Sequence, residues 1–204
     1  MNATKQKILT QSLSLFNEKG ISNVSLRAIA DKAGISVGNL QYHFKKREDI
    51  VEGLYFQLVE KIDGISLTLS EDILKSFFSL AQQVMTIFFE YHFFLLDFTT
   101  VTRGNQKIKL HYATLSKRRE MEFLKVIDVM IEQGLFRKEM LENEYQNLFR
   151  RTEVISNFWF SSLLIQADTL TEDAINEYTL MINQSVYPYL TKKGKEEYNK
   201  LMDS

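Results

Sequence analysis

Twenty consecutive residues decide the fold: Ser25-Leu26-Arg27-Ala28-Ile29-Ala30-Asp31-Lys32-Ala33-Gly34-Ile35-Ser36-Val37-Gly38-Asn39-Leu40-Gln41-Tyr42-His43-Phe44. Two serines stand where helices can begin, since a serine oxygen accepts a free N–H from a helix's first turn. Leu26, Ile29 and Ala30 then recur at helical spacing, which predicts a helix over Leu26–Ala33 with those three turned inward. Gly34 breaks it, at a reversal tight enough to need positive φ, which glycine adopts without strain. Ile35 points to the core, Ser36 caps a second short helix over Val37–His43, and Phe44 closes the core. Ala30 and Ala33 are small enough for the helices to approach closely. Two short helices across a glycine turn make a helix-turn-helix.

Upstream, Ile8, Leu9, Ser12, Leu15 and Phe16 share one face of a helix from about Thr4 to Lys19, with Gly20 placed as its C-terminal cap. A link, Ile21 to Val24, joins it to Ser25. Downstream, a helix opens near Lys46 or Arg47 and runs to about Asp63. The run from Ile8-Leu9 through Leu15-Phe16, Lys19-Gly20 and Val24 to Ile50, about a quarter of the chain, resembles the DNA-binding domain of the TetR family, the tetracycline-repressor-like regulators. Its most specific part is Ile29 to Ile50. Many members carry an aromatic where this sequence has Gln41, which implies an altered operator preference.

An α-helix fits the major groove and meets base edges with its N-terminal residues. Ser36, Val37, Gly38, Asn39 and Gln41 lie on the leading and outward side of the second helix of the motif. Gln41 and Asn39 can each pair with an adenine edge, Val37 can touch a thymine methyl, and Gly38 lets the backbone come close. Candidates for phosphate contact are Ser25, Arg27, Tyr42, His43, Lys45, Lys46 and Arg47. The resemblance implies backbone contact at Ser25, Tyr42, His43 and the basic residue opening the next helix, here Arg47. Charge agrees: residues 1–49 carry eight positive and four negative side chains, against a net charge of −1 for the chain. One such head meets too little DNA to bind a single site tightly, so a homodimer on a palindromic operator is expected.

The rest is expected to be helical too. The only proline is Pro188 and there are eight glycines, so little interrupts the three-and-four spacing of apolar residues. The expected layout is a helix capped by Ser70 from Glu71 to about Glu90, and a short segment to about Thr102. A turn at Arg103-Gly104-Asn105 follows. Helices are then expected from about Gln106 to Glu132, from Leu141 to Ile165, and from Thr171 to about Tyr187-Pro188. The polar tail from Thr191 is expected to fray. The reading is all-α: a three-helix DNA-binding domain over residues 1–48 and a helical regulatory and dimerisation domain over 49–204. Two late helices carry apolar faces, with Phe149, Val154, Ile155, Phe158 and Trp159 on one and Ile175, Tyr178, Ile182 and Val186 on the other. The resemblance implies that they pack against their symmetry mates.

Eight of the residues from 77 to 98 are Phe or Tyr. Such a cluster suits core or an apolar pocket with a few polar anchors. Phe88, Phe89, His92, Phe93, His111, Tyr112 and Trp159 are the candidate lining for a small apolar or aromatic effector, whose existence the resemblance implies. Two-state switching between operator-matching and non-matching head spacings, biased by that ligand, is the implied mechanism. Other classes have less support. With no cysteine there is no thiolate nucleophile or disulfide. Phosphate loops, paired catalytic carboxylates and serine elbows are missing, so no enzyme, cofactor or metal site is expected. Met1-Asn2-Ala3-Thr4-Lys5 lacks a signal peptide's apolar core and no apolar run reaches membrane-spanning length, so a cytoplasmic protein without membrane contact is expected. A helical ligand-binding or interaction module that no longer binds DNA is the alternative, as is a regulator without a small effector.

Overall fold

A computed structural model describes residues 3–65 and 73–202. Among these it has eleven α-helices and no strand. They run α1 (Ala3–Lys19), α2 (Leu26–Ala33), α3 (Val37–His43), α4 (Arg47–Asp63), α5 (Ile73–Glu90), α6 (His92–Leu96), α7 (Phe98–Gly104), α8 (Gln106–Glu132), α9 (Glu144–Leu164), α10 (Asp173–Val186) and α11 (Lys192–Met202). The expected cap at Ser70 lies outside the described residues.

The described residues fall into two compact units, Met1–Gly64 with Glu90–Leu110, and Ile65–Phe89 with His111–Ser204. In the first, α1 packs on α2, α4 and α6, and α2 packs on α3. Ile8, Leu9, Phe16, Ile29, Ala30, Leu40, Phe44, Ile50 and Leu54 are buried. All five residues predicted to share a face of the first helix are inside, with Ser12 donating its hydroxyl to Ile8 O at 2.8 Å. Burying that hydroxyl therefore leaves no unpaired donor. Gly53 lets α4 close on α1, since a Cβ there would sit 3.0 Å from Leu9 Cδ2. The segment from Glu90 is fastened to α1 by one amide: Asn17 Nδ2 donates to Glu90 O at 2.7 Å, and Phe93 N donates to Asn17 Oδ1 at 3.1 Å. On the other side, Glu52 of α4 accepts from Asn105 Nδ2 at 3.2 Å and pairs with Lys107. Lys107 holds the Glu52 carboxyl below its usual range.

The second unit is built on Ile73, Leu74, Phe78, Ile127, Met130, Leu135, Phe136, Tyr145, Leu148, Val186, Leu190 and Tyr198. Three expectations are corrected here. The turn at Arg103-Gly104-Asn105 shrinks to Asn105, because α7 continues through Gly104. Asn105 alone is extended, and its Oδ1 accepts from Lys107 N and Ile108 N, capping α8. The helix expected from Leu141 begins at Glu144. Asn143 takes a left-handed conformation with φ 56°, and the preceding loop is tied by Arg137, which donates to both Glu144 oxygens at 2.7 and 2.8 Å. The tail is an ordered helix. Thr191 Oγ1 accepts from Gly194 N at 3.1 Å, a side-chain cap for α11, and donates to Gly134 O. Leu190 and Phe136 form an isolated antiparallel bridge. Tyr198 packs its ring 5.0 Å from Phe78 and 5.1 Å from Tyr187.

The Arg137–Glu144 pair makes one prediction. Arg137 beside it, with the Met140 N–H, holds the Glu144 carboxyl at about 2 against the usual 4.5. A carboxyl lowered by folding stabilises the native state above its unfolded pKa, and that stabilisation is lost as pH falls through the folded value. The Glu144 side chain is 11% exposed, so Arg137 and the loop N–H groups together are worth about 2 kcal/mol at neutral pH with partial screening allowed for. Chemical denaturation should show Glu144→Gln less stable than the unmodified protein at pH 7. The gap should close as pH falls from 4.5 toward 2; a gap that stays constant with pH contradicts this account.

Candidate nucleic-acid interface

The helix-turn-helix forms where the sequence placed it. Ser25 Oγ accepts from Ala28 N at 3.1 Å and opens α2, and Ser36 Oγ accepts from Asn39 N at 3.2 Å and opens α3. Gly34 sits at φ 63°, and its N–H reaches back to α2. Gly20, also at positive φ (75°) but with extended ψ, ends α1, its N–H donating to Phe16 O at 2.9 Å. Ile29, Ala30 and Ala33 of α2 and Leu40 of α3 are fully buried, so the facing surfaces of the two helices are fixed by packing. Leu26 and Ile35 are half-buried rather than core.

What α3 does not bury, it presents. Ser36, Gly38, Asn39, Gln41 and Tyr42 are exposed, and Val37 and His43 are half-exposed. A Cβ on Gly38 would meet nothing within 4 Å. Tyr42 is 85% exposed, an unusual state for a large aromatic, and its ring stands edge-on to His43 with centroids 5.2 Å apart. Ser25, Arg27, Lys45 and Lys46 are exposed beside them. Two further cations of this unit are occupied at home. Lys5 Nζ lies 5.3 Å from the Phe44 ring centre, and Lys32 donates to Ser14 Oγ at 2.9 Å.

Arg47 is the exception among the predicted phosphate contacts. Its guanidinium turns inward, and Nη1 donates to Ile21 O, Ser22 O and Val24 O at 2.9, 3.1 and 3.3 Å. Those carbonyls belong to the short 3₁₀ turn Ile21–Asn23 and its end, a feature that helical periodicity does not reveal.

The seven candidate pocket residues are divided between the two units. His92 and Phe93 belong to the first, where His92 Nε2 lies 3.3 Å from Asn17 O and Phe93 packs 5.4 Å from Phe16. Phe88, Phe89, His111, Tyr112 and Trp159 belong to the second. There, Phe89 packs on Phe160 at 6.1 Å, and Trp159 Nε1 donates to Ala174 O at 2.9 Å beside Tyr178. The Tyr112 hydroxyl accepts from Asn157 Nδ2 at 2.6 Å and donates to Glu153 Oε1 at 3.3 Å. Tyr178 shares a short hydrogen bond with Ser156, and burial pushes its hydroxyl up to about 12. Burial likewise raises Tyr112. Sequence reasoning missed this polar line of Glu153, Ser156 and Asn157. Its signal was a buried asparagine inside the apolar run from Ile155 to Phe160.

Among the described residues no His, Asp or Glu cluster is arranged to hold a metal ion, and no helix is long and apolar enough to cross a membrane.

Residues 8–54 match the family described as bacterial regulatory proteins, tetR family, and residues 59–198 match TetR, bacterial transcriptional repressor. The probable HTH-type transcriptional regulator YttP of Bacillus subtilis is 39% identical over 67 residues, which span 33% of this chain and 31% of that protein. The HTH-type transcriptional repressor KstR2 of Mycobacterium tuberculosis is 22% identical over 95% of this chain and 96% of its own length. A TetR-family regulator from Marinobacter aquaeolei has the same fold, with a TM-score of 0.84 at 23% identity over 100% of this chain and 98% of that one. The SmeT–triclosan complex shares the fold at a TM-score of 0.63 and 13% identity, covering 94% of this chain and 93% of that one. With a helix-turn-helix head at its N-terminus and a family match across most of the remaining chain, the protein belongs to the TetR family of bacterial DNA-binding transcriptional regulators.

Proposed function

We propose that the protein is a homodimeric repressor that holds a palindromic operator through α3 and releases it when a small apolar or aromatic molecule binds its regulatory part. Residues 1–48 serve as the DNA reader and 49–204 as the regulatory and dimerisation part, acting in the cytoplasm where the DNA lies. The observation that carries this reading is the outward side of α3, polar and aromatic above a fully packed underside, with Tyr42 85% exposed. An exposed tyrosine among amides and cations has no folding reason; stacking or hydrogen bonding to a partner gives it one. Asn39, Gln41 and Val37 take base edges. Ser25, Arg27, Tyr42, His43, Lys45 and Lys46 take phosphates. In the regulatory part, Phe88, Phe89, His111, Tyr112 and Trp159 meet the effector; SmeT, of the same fold, holds triclosan.

Dimerisation is supported by apolar residues left outside. Val154 and Phe158, four residues apart on α9, are 59% and 42% exposed, Ile165 just past the end of α9 is 85% exposed, and Leu180 of α10 is 54% exposed. Of the expected α10 face, Tyr178, Ile182 and Val186 are buried in their own unit and Ile175 is half-buried. Introducing aspartate at both Phe158 and Leu180 should convert the dimer to a folded monomer, because a charge cannot be buried unpaired at an apolar interface. Sedimentation measures this, and a double variant that remains dimeric contradicts the assignment of the face. The DNA reading is tested by selecting duplexes from a random library with the unmodified protein. Enrichment of an inverted repeat, bound with an affinity that falls steeply with salt, is the expected result. Retention of every duplex alike, or of none, contradicts the reading.

A further inference from the structure

The first residue of α4 carries an inference that departs from what the family resemblance implies for it. We infer that Arg47 is a positioning residue for DNA reading, not a phosphate contact, and that the phosphate contact at this corner belongs to Lys46. The inference rests on the proposal that the head reads DNA.

The guanidinium geometry is the first argument. A bidentate grip on a phosphate needs two N–H groups on one edge of the fork. The Nη1 hydrogens of Arg47 are directed at three backbone carbonyls, those of Ile21, Ser22 and Val24. Nε is buried and has no hydrogen-bond partner among the described residues. Only Nη2 remains, 3.9 Å from Glu48 Oε1. Either edge that includes Nη2 also includes a nitrogen that is spent or buried. The side chain is 32% exposed, whereas Lys45 and Lys46 are exposed outright.

The second argument is where the three carbonyls lie. The helix-turn-helix leaves the body of the head at Val24 and returns to it at Arg47. One side chain therefore ties the two ends of the motif together, and α3 hangs between them. Val24 itself is buried, so the tether acts on a fixed point. Lys46, next in the chain, has its backbone set by donation from its N–H to Asp49 Oδ2 at 3.1 Å, while its side chain remains outside. Removing Arg47 would leave the charges facing DNA nearly unchanged and let α3 change its angle.

Salt dependence separates the two roles. Each phosphate contact contributes about 0.9 to the slope of log affinity against log salt, so about 1.8 for a symmetric dimer. The full-length protein, with Lys46→Gln and Arg47→Gln variants, is titrated onto the duplex it enriches from a random library and onto a scrambled duplex. Lys46→Gln is expected to weaken binding to both duplexes alike, to shallow the slope by about 1.8, and to leave the melting temperature in place. Arg47→Gln is expected to keep the slope, to lower the melting temperature, and to lose about tenfold in preference for the enriched duplex, the size of one displaced base contact. Arg47→Lys keeps the charge but cannot span three carbonyls, so it should lose preference as Arg47→Gln does; it also serves if the glutamine variant fails to fold. A slope that falls in Arg47→Gln as in Lys46→Gln, or full preference in Arg47→Lys, overturns the inference while leaving DNA reading intact. Failure of the unmodified protein to enrich any duplex removes DNA reading, and the positioning role with it.

Discussion

Replacing Gly194 by valine is expected to cost about 3 kcal/mol and to lower the melting temperature by about 10 °C, at the upper end of what overpacking does to a domain of this size. Helix propensity alone gives the opposite sign, since glycine in a helix is about 1 kcal/mol worse than alanine. Packing decides. A Cβ on Gly194 would lie far inside van der Waals contact with Leu135 O, 3.1 Å from Leu135 C and 3.3 Å from Leu190 Cβ. The obstructing atoms are backbone, and that backbone is pinned: Thr191 N donates to Leu135 O at 2.9 Å and Arg137 N to Tyr189 O at 3.0 Å. Neither side can yield without breaking the bridge that seats α11. Gly104, the last residue of α7, is the control, since nothing lies within 4 Å of a Cβ there. Gly104→Ala should therefore stabilise by about 0.5–1 kcal/mol through the unfolded chain and helix propensity. Thermal melts of the two variants should move in opposite directions. If both rise, α11 is not seated on Leu135.

Gly194 also marks where the sequence stopped being legible. The bounds of α2 and α3 could be read to the residue because each has a local chemical cause. Ser25 and Ser36 cap with their own side chains, and Gly34 and Gly20 occupy positive φ. Apolar spacing then fixed which side of α1 and α2 turned inward. The tail failed because its order has a distant cause. Lys192, Lys193 and Lys195 read as solvated chain, whereas contacts with residues far away in the sequence hold it, among them the packing of Tyr198 on Phe78, the close approach at Leu135 and the Lys193 donation to Gln133 O. Asn105 and Thr191 do carry local signals, each a side-chain cap for the helix that follows. The interface residues were legible by type and not by role. Arg47 shows this: its charge is visible in sequence, but the carbonyls that consume it belong to residues more than twenty positions away. The candidate effector residues were the least legible, because an aromatic that lines a pocket and one that fills a core have the same spacing. His92 and Phe93 are committed to α1, which periodicity within residues 77–98 cannot show.

Combining Gln41→Ala with Tyr42→Ala is expected to abolish operator selectivity while leaving the fold untouched. Both side chains are exposed, and neither contributes to the buried core of the head, so the melting temperature should not move beyond the small change typical of surface substitutions. A good amide–adenine pair is worth about 1–3 kcal/mol of discrimination, and a symmetric dimer makes it twice. Removing Gln41 from both subunits and the Tyr42 contact with it should cost about a thousandfold in affinity for the enriched duplex, the middle of that range taken twice. Affinity for scrambled DNA should fall far less, because Arg27, Lys45 and Lys46 remain and supply the salt-dependent term. The single variants divide the effect. Gln41→Ala should relax preference at one base position in each half-site, whereas Tyr42→Phe keeps the ring and should reveal whether its hydroxyl holds a phosphate. Titration against the enriched and scrambled duplexes at two salt concentrations measures both terms. A double variant that keeps its preference would place specificity outside α3. The polar and aromatic side chains exposed there would then need another partner.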